Sequence, residues 1–240
     1  MKQGSKQLGK AFLGLALGLV WLIPFYLMLT HSFKTKQEIF TNPLKFPEAF
    51  TFENYPEAFR QLDFIRTLAN SLLITVSSVI IIVIFSAMAA YALERIKSKF
   101  STITFMVFVA AMLVPFQSVM IPLVALFGKA QMLNQIGIIF MYLGFGGSMS
   151  IFLYHGAMKS IPRALDEAAI IDGASRWQVF WKVIFPMLKP TTVTVAVLNT
   201  MWIWNDYLLP SLVINSPTTQ TIPLKMFFFF GQYTKQWHLA

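Results

Sequence analysis

The 240-residue chain is 56% apolar and only 12% charged, with a net charge of +9 and no cysteine. An ordinary soluble domain carries about 25% charged residues, so this composition excludes a water-covered globule, and the lack of thiols excludes disulfides and cysteine-ligated metals. Continuous apolar runs longer than the roughly 20 residues that cross a hydrocarbon core predict an all-α, polytopic transmembrane helical bundle. An outer-membrane barrel would show alternating strands instead, and a basic balance in a membrane protein reflects cytoplasmic loops and requires no nucleic acid.

In chain order, Lys2, Lys6 and Lys10 precede a first span over about 11–31. That run is longer than a secretory h-region and no small-x-small cleavage site follows it, so it reads as a retained span. Gly14 and Gly18 give it the small-xxx-small spacing that permits close helix contact. Residues 32–67 form an outer loop, broken by Pro43, Pro47 and Pro56 and dense in phenylalanine and tyrosine. Such aromatic density fits packing better than a free tether, either as a docking surface or as a lid over the helix ends. A second span covers about 68–93 and a third about 102–127, where Pro115 and Pro122 flank Gln117 and predict a kink. The fourth, 136–157, holds Gly144, Gly146 and Gly147, which are packing sites or a flexible point. A polar loop over 158–190 leads to a fifth span at about 191–213. The tail from Thr221 has one short apolar run, Met226 to Phe230, before Gly231, Gln232 and Tyr233, and is too short to cross.

Eleven basic residues fall on the side shared by the N-terminus, the 94–101 linker and the 158–190 loop, against eight on the other side, where segment 32–67 also carries five acids. The positive-inside tendency makes the first side cytoplasmic.

The polar loop stands out because a short amphipathic hairpin between two apolar spans needs a partner outside the membrane. Two helices fit residues 160–185. Ser160 is the expected cap of the first, with Pro162 in its opening turn. Leu165, Ala168, Ala169 and Asp172 share one face by helical spacing, and Gly173 ends the helix in a left-handed turn. Ser175 and Gln178 form a capping-box pattern for the second helix. Trp177, Phe180, Trp181 and Ile184 line its apolar face, and Pro186 is expected to stop it. Interfacial helices lying on lipid headgroups would show the same aromatic face, but not the small, acid-flanked face of the first helix.

Glu167-Ala168-Ala169, three residues, Gly173, nine residues and Val183-Ile184-Phe185-Pro186 resemble the EAA loop of ABC importer permeases, with Val183 and Phe185 replacing its Ile and Leu. Phe52-Glu53-Asn54-Tyr55, Ala69-Asn70-Ser71-Leu72, Tyr91-Ala92-Leu93-Glu94-Arg95, Val114-Pro115-Phe116-Gln117 and Trp204-Asn205-Asp206-Tyr207 resemble the carbohydrate-importer branch of the maltose and multiple-sugar type. The resemblance spans nearly the whole chain. It implies a type I ABC importer permease fold in a bacterial or archaeal cytoplasmic membrane, with a sixth C-terminal span that is absent from the sequence up to Ala240. It also implies two ABC ATPase subunits that bind ATP and magnesium, a second permease subunit in a heterodimer, and an extracellular or periplasmic solute-binding protein. Carried over residue by residue, Glu167 contacts the ATPase, Ala168 and Ala169 allow close seating, Gly173 makes the turn and Pro186 closes the motif. No G-x-x-x-x-G-K-[ST] phosphate loop occurs in the chain, so no cofactor of its own is expected by that route.

Candidate pathway residues are Gln117, Asn199, Asn205, Asp206 and Tyr207. Asp206 is the only acid inside a predicted span, and such charges face a cavity or a partner. Polar groups beside Trp202 and Trp204 suit sugars; equally, Asn205 and Asp206 suit helix–helix hydrogen bonds or an interfacial aromatic belt. Two other classes fit less well. An ion-coupled carrier would show discontinuous polar spans and often an internal repeat. A membrane-embedded enzyme would need more chemistry than His31, His155 and His238 offer.

Overall fold

The computed structural model describes residues 2–230 and 236–239, with residues 2–6 and 8 described by their backbone alone. Lys2 and Lys6 as charged groups, and Gly231, Gln232 and Tyr233 of the tail, therefore lie outside the description. Every regular element described is helical: α1 Lys2–His31, α2 Lys36–Thr41, α3 Asn54–Leu62, α4 Phe64–Arg95, α5 Lys99–Ala111, α6 Phe116–Lys129, α7 Gln135–Met158, α8 Ala164–Ile171, α9 Arg176–Met187, α10 Lys189–Asn205, α11 Leu208–Val213 and α12 Ile222–Met226. The chain divides into two compact units, residues 1–65 with 225–240, and residues 66–224.

In the first unit, α1 is apolar over Gly9–His31 and long enough to cross a membrane. The following segment is a folded module rather than a tether. Phe33 packs edge-on against Phe50 and Phe52, at 5.5 Å each. Asn54 donates its amide to the carbonyls of Ser32 and Lys34, both at 2.9 Å. Lys34 is fully buried, and its ammonium donates to the carbonyls of Asn42, Pro43 and Lys45. On the exposed side of α3, the Arg60 guanidinium, 2.8 Å away, and the Gln61 amide hold the Glu57 carboxyl below its usual range.

The second unit is built around α7, which is buried on several faces because it packs between α5 and α10. Ile74, Ile82 and Ala87 of α4, Met141, Tyr142 and Tyr154 of α7, and Val195 and Ile203 of α10 form one apolar core. At Gly146, α7 lies close against α4 and α10: a methyl there would collide with Asn199 Oδ1 and Ile82 Cδ1. By contrast, Cβ atoms at Gly14, Gly18 and Gly144 would meet nothing within 4 Å.

Three predicted boundaries need correction. The 102–127 span is two helices, α5 and α6, meeting at 105°. The backbone turns extended at Pro115 (φ −68, ψ 141), and a proline disfavours the helical conformation in the residue before it. Pro122, already inside α6, does not end that helix. The 191–213 span is likewise interrupted, because Asp206 is extended (φ −72, ψ 125) between α10 and α11. Pro186 does not stop the second loop helix: α9 continues to Met187, and the chain bends by 76° into α10 across Leu188.

Candidate functional site

The 158–190 loop folds from local signals at its turns. Ser160 does not cap α8; its hydroxyl donates to Ala157 O at the end of α7 (2.7 Å). Arg163 takes the cap position without a side-chain bond, and Asp166 and Glu167 supply negative charge to the first turn, where the helix dipole favours it. Gly173 sits at φ +88. Its amide donates to Ile170 O and that of Ala174 to Ala169 O, both at 3.0 Å, which is the Schellman pattern of bonds. Ser175 and Gln178 form both hydrogen bonds of a capping box. Beyond it, Val179–Ile184 is wound as a π-helix, a form that occurs mostly as short insertions and frequently at functional sites.

The faces of these helices differ from the sequence expectation. Ala168 is exposed, but Ala169 is half-buried against the core of the second unit. The outward stripe of α8 is Ala164, Glu167, Ala168 and Ile171, at i, i+3, i+4, i+7, with Ile171 85% exposed. Leu165 and Asp172 flank it, so Glu167 lies in the stripe and Ala169 does not. On α9, Phe180 and Ile184 are buried and Trp177 is 60% exposed, so the predicted apolar face splits between core and surface. Trp181 bridges the two, 4.9 Å from Phe180 and 5.6 Å from Trp177.

The inward side of α8 carries a buried acid that the sequence pattern gave no reason to single out. Asp166 Oδ1 accepts from Tyr91 Oη at 2.8 Å and from Arg95 Nε at 3.2 Å, and Oδ2 lies 2.8 Å from Arg95 Nη2. Arg95 also donates to Ile161 O (3.3 Å), and Arg163 donates back to Arg95 O. The side chains of Arg95 and Asp166 are 13% and 10% exposed. Beside them opens a pocket of about 360 Å³ bordered by Arg95, Arg163, Glu167 and Arg176. An acid directly before Glu167 lies about 100° around the helix from it, which here carries Asp166 off the outward stripe.

The pathway candidates do not converge. Asn199 is buried between helices, donating to Ser150 Oγ (3.1 Å) and Val195 O (2.8 Å). With Met112, Phe145, Gly146, Met149, Leu198 and Trp202 it lines a pocket of about 300 Å³. Asp206 accepts from Tyr142 Oη (3.0 Å) and from the amide of Leu208 (2.9 Å), so it caps α11 and ties it to α7. Asn205 bonds to Met201 O within its own helix (2.7 Å), Tyr207 packs against the core, and Gln117 is exposed in the first turn of α6. Of the five, only Asn199 borders that pocket. Among the described residues, no group of three or more histidines and acids could hold a metal ion.

Bent helices of membrane-crossing length around a core, with one polar helical loop presenting an outward stripe, define a polytopic helical membrane protein. Residues 82–232 match the family described as binding-protein-dependent transport system inner membrane component. The chain is 58% identical over 229 residues to the probable starch degradation products transport system permease protein of Thermoanaerobacterium thermosulfurigenes, covering 95% of this chain and 84% of the relative. It is 37% identical to the multiple sugar-binding transport system permease protein of Streptococcus mutans, over 90% of this chain and 79% of that one. It shares the fold of a bacterial ABC transporter involved in the import of the acidic polysaccharide alginate, with a TM-score of 0.80, 22% identity, and coverage of 98% of this chain and 89% of that one. The chain belongs to the binding-protein-dependent transport system inner membrane component family, and is a membrane-spanning permease subunit of the ABC importer class.

Proposed function

We propose that this permease subunit helps form the path for a sugar or oligosaccharide and couples it to ATP hydrolysis by partner subunits through the 158–190 loop. The observation that carries the reading is the outward stripe of α8, in which Glu167 stands among Ala164, Ala168 and Ile171 on a loop otherwise anchored to the bundle. Small side chains let another backbone approach closely, Ile171 offers apolar area, and Glu167 offers one polar contact, a combination suited to a protein groove. The partners are two ATPase subunits, which bind ATP and magnesium, a second permease subunit and a solute-binding protein. In the proposed orientation the loop and the N-terminus are cytoplasmic. A sugar cargo is supported by relatives named for starch degradation products and multiple sugars and for melibiose, raffinose and stachyose. The pocket beside Asn199 is bordered by the Trp202 ring, a stacking face of the kind sugars use. In the reconstituted importer, Glu167→Lys is expected to abolish substrate-stimulated ATP hydrolysis and release the ATPase on purification, with membrane insertion unchanged; Gly173→Asp, which disturbs the turn, acts the same way. Undiminished stimulation in both variants would refute the docking role.

A further inference from the structure

The stretch Tyr91-Ala92-Leu93-Glu94-Arg95 closes α4, and its polar side chains tie α4 to α7 and to the 158–190 loop. Glu94 Oε2 lies 3.2 Å from His155 Nε2 on α7. The Tyr91 ring rests against Phe180 of α9, 5.4 Å between centroids, while its hydroxyl and the Arg95 guanidinium both reach Asp166 of α8. We propose that Tyr91 and Arg95 are positioning residues that join the outward-facing loop helix rigidly to α4, so that a push on α8 moves α4 together with α7 and α10, the helices to which the chain connects it. This rests on the reading of α8 as the docking helix.

The chemistry favours a joint over a loose contact. The Arg95 guanidinium donates one hydrogen bond, from Nε to Asp166 Oδ1, and pairs by charge with Oδ2 at 2.8 Å, while the Tyr91 hydroxyl supplies a second hydrogen bond to Oδ1. The same guanidinium holds Ile161 O and is backed by Arg163 on the carbonyl of Arg95 itself. Asp166 is thus restrained by two residues one helical turn apart on α4, Tyr91 and Arg95. In a pair this buried, removing one partner strands the other charge, so the arrangement either holds as a unit or opens as one. By covalent connection alone, α8 would pull on α7 through residues 159–163, and on α10 only through α9 and the bend at Leu188. The Asp166 contact adds a further attachment, on a helix 32 residues long.

The test uses the complete importer in proteoliposomes with its ATPase, partner permease and binding protein. Asp166→Asn and Arg95→Gln should each lower the number of solute molecules moved per ATP hydrolysed by about tenfold, within the range of a single coupling interaction, with the ATPase retained on purification. The double variant should be no worse than the worse single, because both remove one joint. Tyr91→Phe, which loses one hydroxyl and keeps the ion pair, should fall in between and report even if the charge variants fold poorly. A purely structural role would lower the yield of assembled complex and leave the ratio unchanged. A wild-type ratio in Asp166→Asn and Tyr91→Phe, independent multiplying losses in the double variant, or release of the ATPase by Asp166→Asn would overturn the proposal. Full ATPase retention in Glu167→Lys beside a lowered ratio in Asp166→Asn would instead remove Glu167 as the docking contact and leave the joint standing.

Discussion

Lys34 makes a residue-scale argument about why the 32–65 segment is folded. A buried ammonium is costly unless its protons find acceptors, and here three backbone carbonyls accept them, from Asn42 at 2.9 Å, Pro43 at 3.2 Å and Lys45 at 2.5 Å. Those carbonyls come from a proline-broken stretch that has no helix of its own to satisfy them, so one side chain organises the loop backbone. His31 Nε2 shares Pro43 O at 2.9 Å, which tightens the same corner. Lys34→Met keeps the apolar stem and removes the donors, leaving the part-buried carbonyls of Asn42 and Lys45 without that partner, at about 1–3 kcal/mol. Hydrogen exchange at the amides of Asn42, Glu48 and Thr51, each bonded within this module, should therefore accelerate by about 5- to 150-fold. Unchanged protection would mean that the aromatic contacts of Phe33 hold the module without the ammonium.

Among the elements, the contact of α7 with α10 is set by a glycine. Gly146 leaves room for Asn199, whose amide bonds to Ser150, while Ser150 in turn donates to Gly146 O at 2.7 Å. Gly146→Ala forces the two helices apart or displaces Asn199, at about 1–3 kcal/mol for an overfilled interface. Gly144→Ala, two residues away, faces open space and should leave stability unchanged or slightly raised, since glycine costs a helix about 0.5–1 kcal/mol relative to alanine. Thermal melting of the two purified variants separates the cases, and equal melting temperatures would refute the packing role of Gly146. The two glycines are indistinguishable in sequence, and their difference marks the limit of what was legible there. The Gly173 turn and the Ser175–Gln178 capping box could be read directly, because each is decided by residues three or four apart. The inward turn of Asp166 and Ala169 could not, because it depends on Tyr91 and Arg95, more than seventy positions away. Pro115 marked a kink, but a proline alone does not set 105°, and Pro122 passes through a helix intact. Pro186 misled for the same reason: the bend came two residues later, at Leu188, where α9 gives way to α10.

At the scale of the second unit, the bend between α5 and α6 poses a choice between one broken crossing and a re-entrant loop. Thirteen and fourteen residues give about 20 Å each at about 1.5 Å per residue, so neither helix spans a core of about 30 Å alone. The ends of the neighbouring helices decide the matter. The C-termini of α4 and α7 lie together through Glu94 and His155. The opposite ends meet where Gln135 donates to Asn70 Oδ1 at 3.0 Å. The chain leaves α4 at the first of these levels and must enter α7 at the second, so α5 and α6 together carry it across. In the proposed orientation, Lys97 lies on the cytoplasmic face with the 158–190 loop, and Ala130 on the opposite face. The absence of native cysteine makes single labels unambiguous. In intact cells a membrane-impermeant maleimide should modify Ala130→Cys and spare Lys97→Cys and Ser175→Cys, and inverted vesicles should reverse that pattern. Labelling of Ala130→Cys from the same side as Lys97→Cys would make the α5–α6 pair re-entrant. Opposite faces with the assignment reversed would keep the crossing but place the α8 stripe away from ATP, which would end the coupling proposal.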